Sequence, residues 1–348
     1  MQQTDSEVIR WLLAGDVVIR WQVLQDLLQR PTREVLKTRQ RVAREGWGAR
    51  LLSLQEVEGT WGGGLYNPKW TSTTYTMLLL RDFGLFPKTR QAHTACGILL
   101  GQGFRSDGGV NFGSDRSETC ITGMILSIAA YFQHKDERLN EIVNHLLRQQ
   151  MPDGGWNCRR WRGATHSSMH TTISVLEGLR FYELLDGARS SEVRRAQERA
   201  REFLLQHQLF RSHRTGRVIR AEFGRMSFPP RWHYDILRAL DYFQAVNAQR
   251  DSRLAESVDV IRRKRRPDGR WVLENTYRGR SFFEIERRGM PSRWNTLRAL
   301  RVLRWWSADE VARTPPNNGL QADAALALAR PAQLKPGNVR REAKTTRA

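Results

Sequence analysis

Apolar residues recur along this chain in a two-part pattern. A helical stretch with one apolar face ends in a turn rich in Gln or Arg. A Gly-rich loop follows, and a second, more uniformly apolar helical stretch begins. The first unit runs from Leu51-Leu52-Ser53-Leu54-Gln55 through Glu58-Gly59-Thr60-Trp61-Gly62-Gly63-Gly64 to Thr73–Leu80. The second joins Leu99-Leu100-Gly101-Gln102 to Glu118–Met124 through Asp107-Gly108-Gly109-Val110-Asn111-Phe112. The third is the clearest, with Leu146–Gln150, then Pro152-Asp153-Gly154-Gly155-Trp156-Asn157, then His170–Leu176. The fourth keeps Phe203–Gln206 and Asp235–Leu240 around a degraded loop. The fifth has Pro267-Asp268-Gly269-Arg270-Trp271 ahead of Asn295–Leu300.

Glu58, Asp107 and Asp153 mark one turn position, 49 and 46 residues apart, and Asp268 lies 115 residues beyond Asp153, two such units. Each unit predicts a helical hairpin. Asp-Gly-Gly supplies the turn because glycine reaches positive φ without steric cost, so Gly154 and Gly155 are both expected to need that freedom. The Trp behind the glycines can cover the end of the preceding helix. One hairpin cannot bury its own apolar face, so the units must stack. Upstream, Ser6–Leu13 and Val17–Gln29, the latter stopped by Pro31, make a helical pair over residues 1–32 that could serve as a sixth hairpin. The repeat domain is expected over 33–307. Thr314-Pro315-Pro316-Asn317-Asn318-Gly319 breaks any helix, and 308–348 are expected to be a disordered basic tail. The predicted fold class is all-α.

Composition narrows the setting. Apolar residues make up 40% of the 348, enough for a sizeable core. The longest apolar stretch, around Met124–Phe132, is interrupted by Ser127 and falls far short of the roughly 20 residues a membrane span needs. The polar, acidic start Met1–Glu7 has no secretory pattern. Cys96, Cys120 and Cys158 are too few and too scattered for a disulfide framework, and no CxxC occurs. Together these point to the cytoplasm. The formal charge is +21, and Arg313–Ala348 contributes seven Lys/Arg against two Asp/Glu. Such a body attracts anions. Most of its arginines stand beside glutamates in helices, as a solvated surface would have them. The dense run Arg262–Arg266 is the exception.

The layout Gln…Asp-Gly-Gly-Trp resembles the QW-type repeat of the prenyltransferase and squalene-cyclase superfamily. The match is best in Gln149–Trp156, next in Gln55, Gly59 and Trp61, and extends roughly over Val35 to Trp306. The resemblance implies an α/α toroid of five to six helical hairpins, its outer helices ringing inner ones around a central cavity. One fold hosts several chemistries, so the family's motifs decide. Class II terpene cyclases protonate an alkene with Asp-x-Asp-Asp, and this chain has neither that motif nor any Asp-Asp pair. Complement thioester domains carry Cys-Gly-Glu-Gln, whereas Cys96-Gly97 continues as Ile98-Leu99. Protein prenyltransferase β subunits hold zinc with Asp-x-Cys and a later His followed by Thr. Here Glu118-Thr119-Cys120 and Met169-His170-Thr171 stand at inner-helix starts, with Glu in place of Asp. The resemblance thus implies Glu118, Cys120 and His170 as a candidate zinc set with an open position.

Aligning the inner helices by sequence puts Ser72, Glu118, His170 and Arg231 at one level. Thr74, Cys120, Thr172, His233 and Arg293 fall at the next even position, and Thr76, Thr122, Ser174, Asp235 and Asn295 at the one after. This mouth is expected to be the ligand site. Helix N-termini favour anions, and Arg231 and Arg293 add charge. His233 with Asp235 is a candidate base and orienter, although i to i+2 spacing does not share a helix face. Trp70, Trp232, Tyr75, Tyr234 and Trp294 could line the site for a polyisoprenoid or pack the hairpins. Without a metal, Cys120 is a small buried residue, Glu118 pairs with an arginine and His170 bonds a backbone carbonyl. Cys158 has no partner at metal spacing. Three functions follow from these residues: an isoprenoid-type or other anionic small molecule bound or transformed in the cavity, a non-catalytic protein-interaction module, or nucleic-acid binding through the arginines.

Overall fold

The structure, a computed structural model, describes residues 3–185 and 190–307. The expected tail from 308 onward lies outside the described residues. Among the described residues the fold is all-α apart from one two-residue pairing, Trp271–Val272 with Pro291–Ser292, and isolated bridges in the loops. The five hairpins pair α4 (Gly46–Ser53) with α5 (Thr73–Asp82), α6 (Arg90–Gly103) with α7 (Thr119–Tyr131), and α8 (Arg138–Gln149) with α9 (Met169–Leu185). They continue with α10 (Ser190–Gln206) and α11 (Ile236–Ala245), then α12 (Ala255–Arg263) and α13 (Arg293–Ser307). Ahead of them lie α1 (Gln3–Leu13), α2 (Val17–Gln22, prolonged by a π turn to Leu27) and α3 (Thr32–Gln40).

The repeated residues act as locks. In three units the Trp is fully buried and its Nε1 donates to the carbonyl ten residues upstream: Trp61 to Leu51 (2.7 Å), Trp156 to Leu146 (2.7 Å) and Trp271 to Ile261 (2.8 Å). Each bond falls on a carbonyl in the last turns of the outer helix, and those of Leu51 and Ile261 accept a backbone N–H as well, from Leu54 and Lys264. The backbone N–H of the same position then donates to a threonine of the inner helix. The pairs are Trp61–Thr73, Val110–Thr122, Trp156–Thr172 and Trp271–Thr296, at 2.9–3.1 Å. Gln55 and Gln150 donate to the turn carbonyls of Gly59 and Gly154 and also to Gln91 and Ala196 of the next outer helix. Gln55 and Gln150 therefore stitch unit to unit, and the Trp closes the three hairpins that carry it. Asp107 and Asp153 tie the turn to Ser117 and Ser167, just before the inner helices. In the first turn Glu56, not Glu58, accepts from Thr60 Oγ1 and Gly63 N–H within the loop itself.

The ring closes on itself. Arg265 donates to Gly269 as Gln55 and Gln150 do to Gly59 and Gly154, and its other arm reaches Asp5 of α1 at 2.6 Å. The N-terminal pair thus takes the place of a sixth hairpin, α1 outside and α2 inside. On its other flank the Asp16 carboxylate, which caps α2, also accepts from Trp47 N–H of α4. The closest approach is between α7 and α9. A Cβ on Gly178 would stand 2.5 Å from the carbonyl oxygen of Gly123, so only glycine admits this packing.

The two turn glycines differ in their requirement. Gly154 sits at φ +95°, as the turn predicts, while Gly155 does not take a positive φ. Gly155 is small for a steric reason: a Cβ there would lie 2.6 Å from Thr172 Oγ1 and 2.7 Å from Ser167 Cβ. Gly154→Val combines a strained φ with a clash against the Arg199 carbonyl at 2.5 Å. It is expected to cost at least about 1–3 kcal/mol in urea unfolding, and a midpoint like that of the parent would contradict the turn.

Candidate functional site

The inner helices enclose a cavity of about 260 Å³. Its charged lining lies deeper along the helices than the starts that the sequence singled out, of whose residues Trp294 alone among the named aromatics reaches it. Arg39, Arg81, Arg180, Arg238, Arg298 and Arg301 line it together with Asp26, Asp82, Glu177 and Asp241. Aromatic walls come from Trp21, Tyr131, Phe181, Phe228, Tyr242 and Trp294. The charged groups form a closed girdle. Arg81 of α5 bonds Ser127 of α7 (2.8 Å) and Glu177 of α9 (3.3 Å). Glu177 takes both arms of Arg238 from α11, at 2.7 and 2.9 Å. Asp241 of α11 pairs with Arg298 of α13 (3.1 Å), and Arg301 of α13 pairs with Asp26 beyond α2 (2.9 Å). Gln22 of α2 completes the circle by donating to the Asp82 carbonyl of α5 (3.2 Å).

Six arginines and four carboxylates line the cavity wall. Burial works against the Glu177 carboxylate, but the attraction of Arg238 and Arg81 overrides it and brings its pKa down to about 2. Asp82 goes the other way: burial pushes its pKa above the usual carboxylate value despite Arg81 beside it. The wall thus holds one carboxylate kept ionised and one shifted toward its protonated form.

The mouth at the inner-helix starts is packed with rings. Trp232 stacks on His233 (3.7 Å between centroids), and His233 stacks on Tyr277 (3.6 Å). Trp70 sets its edge against Tyr75 at 4.7 Å and donates from Nε1 to the Tyr277 carbonyl. His170 stands edge-on to Trp232, and its Nδ1 accepts the Tyr234 N–H at 2.8 Å. Burial, reinforced by nearby cations, lowers His170 to about 4 and His233 to about 3, so both are neutral at pH 7. Arg231 joins this block with its guanidinium 5.5 Å from the Trp70 ring, and burial lowers its pKa to about 10. Asp235 turns inward as the α11 N-cap, accepting from Arg238 N–H and Ser227 Oγ. It orients no histidine. Arg293 lies apart, against α1, with Nε on the Trp11 carbonyl and its guanidinium over the Trp11 ring.

The threonine bonds correct the sequence alignment. Thr122, Thr172 and Thr296 are equivalent, so Cys120, His170 and Trp294, each two residues earlier, share one level, and Glu118 matches Ser168 and Ser292. The candidate zinc set does not assemble. Among the described residues no three His, Cys, Asp or Glu side chains are grouped to hold a metal ion. Glu118 is the N-cap residue of α7, and its Oε2 accepts from Cys120 Sγ at 3.9 Å.

No family model matches the chain, and no curated protein matches it. Among solved structures it is similar to a protein from Actinoplanes, with a TM-score of 0.44 and 16% identity over 87% of this chain and 99% of that one. It is also similar to the type II terpene cyclase MstE from Scytonema in its apo form. That match has a TM-score of 0.28 and 15% identity, and covers 79% of this chain and 99% of that one.

The cavity arginines and acids escaped the sequence analysis, although a signal was present. Arg81, Glu177, Arg238, Asp241, Arg298 and Arg301 are charged residues inside the more apolar helix of their hairpins, where a charge needs a partner. The basic run is largely spent on internal pairs: Arg262 with Asp259, Lys264 with Glu274, Arg265 with Asp5 and Arg266 with Asp268. No helix among the described residues is long and apolar enough to cross a membrane.

Proposed function

We propose that the ring binds a small anionic molecule in its central cavity, the anion meeting the arginine girdle and an apolar or unsaturated part meeting the aromatic wall. The observation that carries this reading is the set of six arginines lining a cavity of about 260 Å³ beside aromatic walls. Guanidinium groups present forks of N–H donors that match the oxygens of a phosphate or carboxylate. The volume is just under the roughly 300–1,000 Å³ of pockets for drug-sized ligands, which favours a short-chain prenyl diphosphate over a long polyene. The family resemblance makes an isoprenoid the first ligand to try. With no Asp-x-Asp-Asp motif, no protonation step of the class II kind is assigned to any residue.

Titration calorimetry with a five-carbon prenyl diphosphate, and with inorganic diphosphate as its head alone, tests this. Both are expected to bind, the prenyl compound more tightly. Arg180→Ala, at the cavity wall, is expected to weaken both by about 1.5–3 kcal/mol, the scale of hydrogen bonds to charged groups. No heat from either ligand with folded protein would sink the proposal. It would favour instead a non-catalytic interaction module, a second reading supported by the ring-packed mouth around His233.

A further inference from the structure

The connections that lead from outer to inner helices lie at one end of the ring, and their charge is uneven. Residues 150–168 and 207–235, the connections before α9 and α11, hold nine arginines, no lysine and three acids. Of those acids, Asp153 is engaged by Ser167 and Asp235 is the buried cap of α11, which leaves Glu222. Arg211 alone of the nine forms an ion pair among the described residues, with Glu256. Arg159, Arg160, Arg162, Arg214, Arg217 and Arg220 are all exposed. The connections at the other end, 83–89, 132–137 and 246–254, hold four Lys/Arg against three acids and carry no such surplus.

These cations form one surface. Arg214, before α11, donates to His166 Nε2, before α9, at 2.7 Å. The Trp161 ring has the Arg162 guanidinium 4.4 Å from its centroid and that of Arg116, before α7, at 5.0 Å. Three successive hairpins therefore share this rim, although the connection before α7 brings only Arg105 and Arg116 against Asp107, Asp115 and Glu118. The parts are held in place. Arg160 donates to the Arg148 carbonyl and Asn157 Nδ2 to the His166 carbonyl, both at 2.7 Å. Main-chain bonds from Ser212 to Arg217 and from Ile219 to Phe210, both 2.8 Å, make a tight hairpin of 210–219. On this rim Trp161 stays 51% exposed, a ring set among cations and open to solvent.

We infer that this rim binds single-stranded nucleic acid, with phosphates on the arginines and a base stacked on Trp161. A row of cations along successive hairpins fits a linear polyanion, whereas a small anion needs a single cradle. Guanidinium forks match phosphate oxygens, and their planes also stack on bases. An open aromatic ring beside cations holds unpaired bases, whose faces a duplex keeps inside its own stack. An anionic bilayer would meet the same charge. However, the Trp161 ring carries guanidinium groups, and the other large apolar side chains exposed on these two connections are Val218 and Ile219, too few to insert. None of these rim residues lines the central cavity, so the two sites are separate.

Fluorescence anisotropy of a labelled oligouridine of about 15 nucleotides with the full-length protein, over about 0.05–0.3 M salt, tests this. The side chains of Arg159 and Arg217 make no hydrogen bond, ion pair or ring contact among the described residues, so replacing them removes charge alone. Arg159→Ala with Arg217→Ala is expected to weaken binding at least about tenfold in about 0.1 M salt. It should also lower the slope of log affinity against log salt by about 1.4. Lys88→Ala with Lys135→Ala, an equal loss of charge at the other end of the ring, should do neither. Trp161→Ala should weaken binding at least about fivefold at an unchanged slope. The unsubstituted protein should prefer the single strand to a duplex of the same length and should not sediment with phosphatidylserine vesicles in about 0.15 M salt. Arg313–Ala348 is present in every variant, so binding by that stretch would survive the arginine substitutions. No binding, affinity that the arginine pair leaves intact, equal losses in the arginine and lysine pairs, Trp161→Ala binding like the parent, a preference for duplex, or capture by the vesicles would each overturn the inference.

Discussion

Glu177→Ala is expected to lower the unfolding free energy by about 3–5 kcal/mol, measured by urea denaturation at pH 7. The size follows from what remains behind. Arg81 keeps Asp82 and Ser127, but Arg238 loses both bonds to Glu177 and keeps only the His233 carbonyl for its side chain. Breaking a buried pair by removing one partner strands a charge in low dielectric, which costs about that much. The pH dependence has a definite sign. Glu177 titrates near 2 in the fold, below its ordinary 4.5. Its contribution is therefore complete above about pH 4.5 and is lost as pH falls toward 2. The stability gap between the parent and Glu177→Gln should be widest at neutral pH and close over that interval. A gap that stays constant between pH 6 and 3 would show that the carboxylate is not the group that matters.

Trp156→Ala should cost a similar amount, about 3–5 kcal/mol for a fully buried large aromatic. Trp156→Phe separates packing from the polar lock. It keeps most of the ring but leaves the Leu146 carbonyl without its indole donor, so it should cost about 1–3 kcal/mol. The same graded pair is expected at Trp61 and Trp271, which make the same bond. Equal losses in the Phe and Ala variants would mean that the hydrogen bond carries the whole effect. No loss in either would remove the basis of the hairpin lock.

The hairpins were legible because each lock uses residues that read locally: Gln, Asp-Gly-Gly and Trp within eight positions, Gln149 to Trp156. Their repetition made the all-α class plain before any contact was known. The site was less legible because contacts between helices depend on register, and register is set by bonds the pattern does not display. Aligning Glu118 with His170 missed by two residues, and only the Thr122 and Thr172 bonds fix it. Two residues along a helix turn a side chain to a different face, so a ligand set that looks convergent in sequence is not convergent in space.

The seam that closes the ring has a consequence for how the protein is made. Arg265 meets Asp5 across 260 residues, and Arg293 meets the Trp11 carbonyl across 282. The five hairpins can form as their residues leave the ribosome, since their locks are short in sequence. The faces of α1 and α2 that belong against α13 have no partner until the last helix has been synthesised. At about 5–20 residues per second, those faces stay uncovered for roughly fifteen seconds to a minute in every nascent chain.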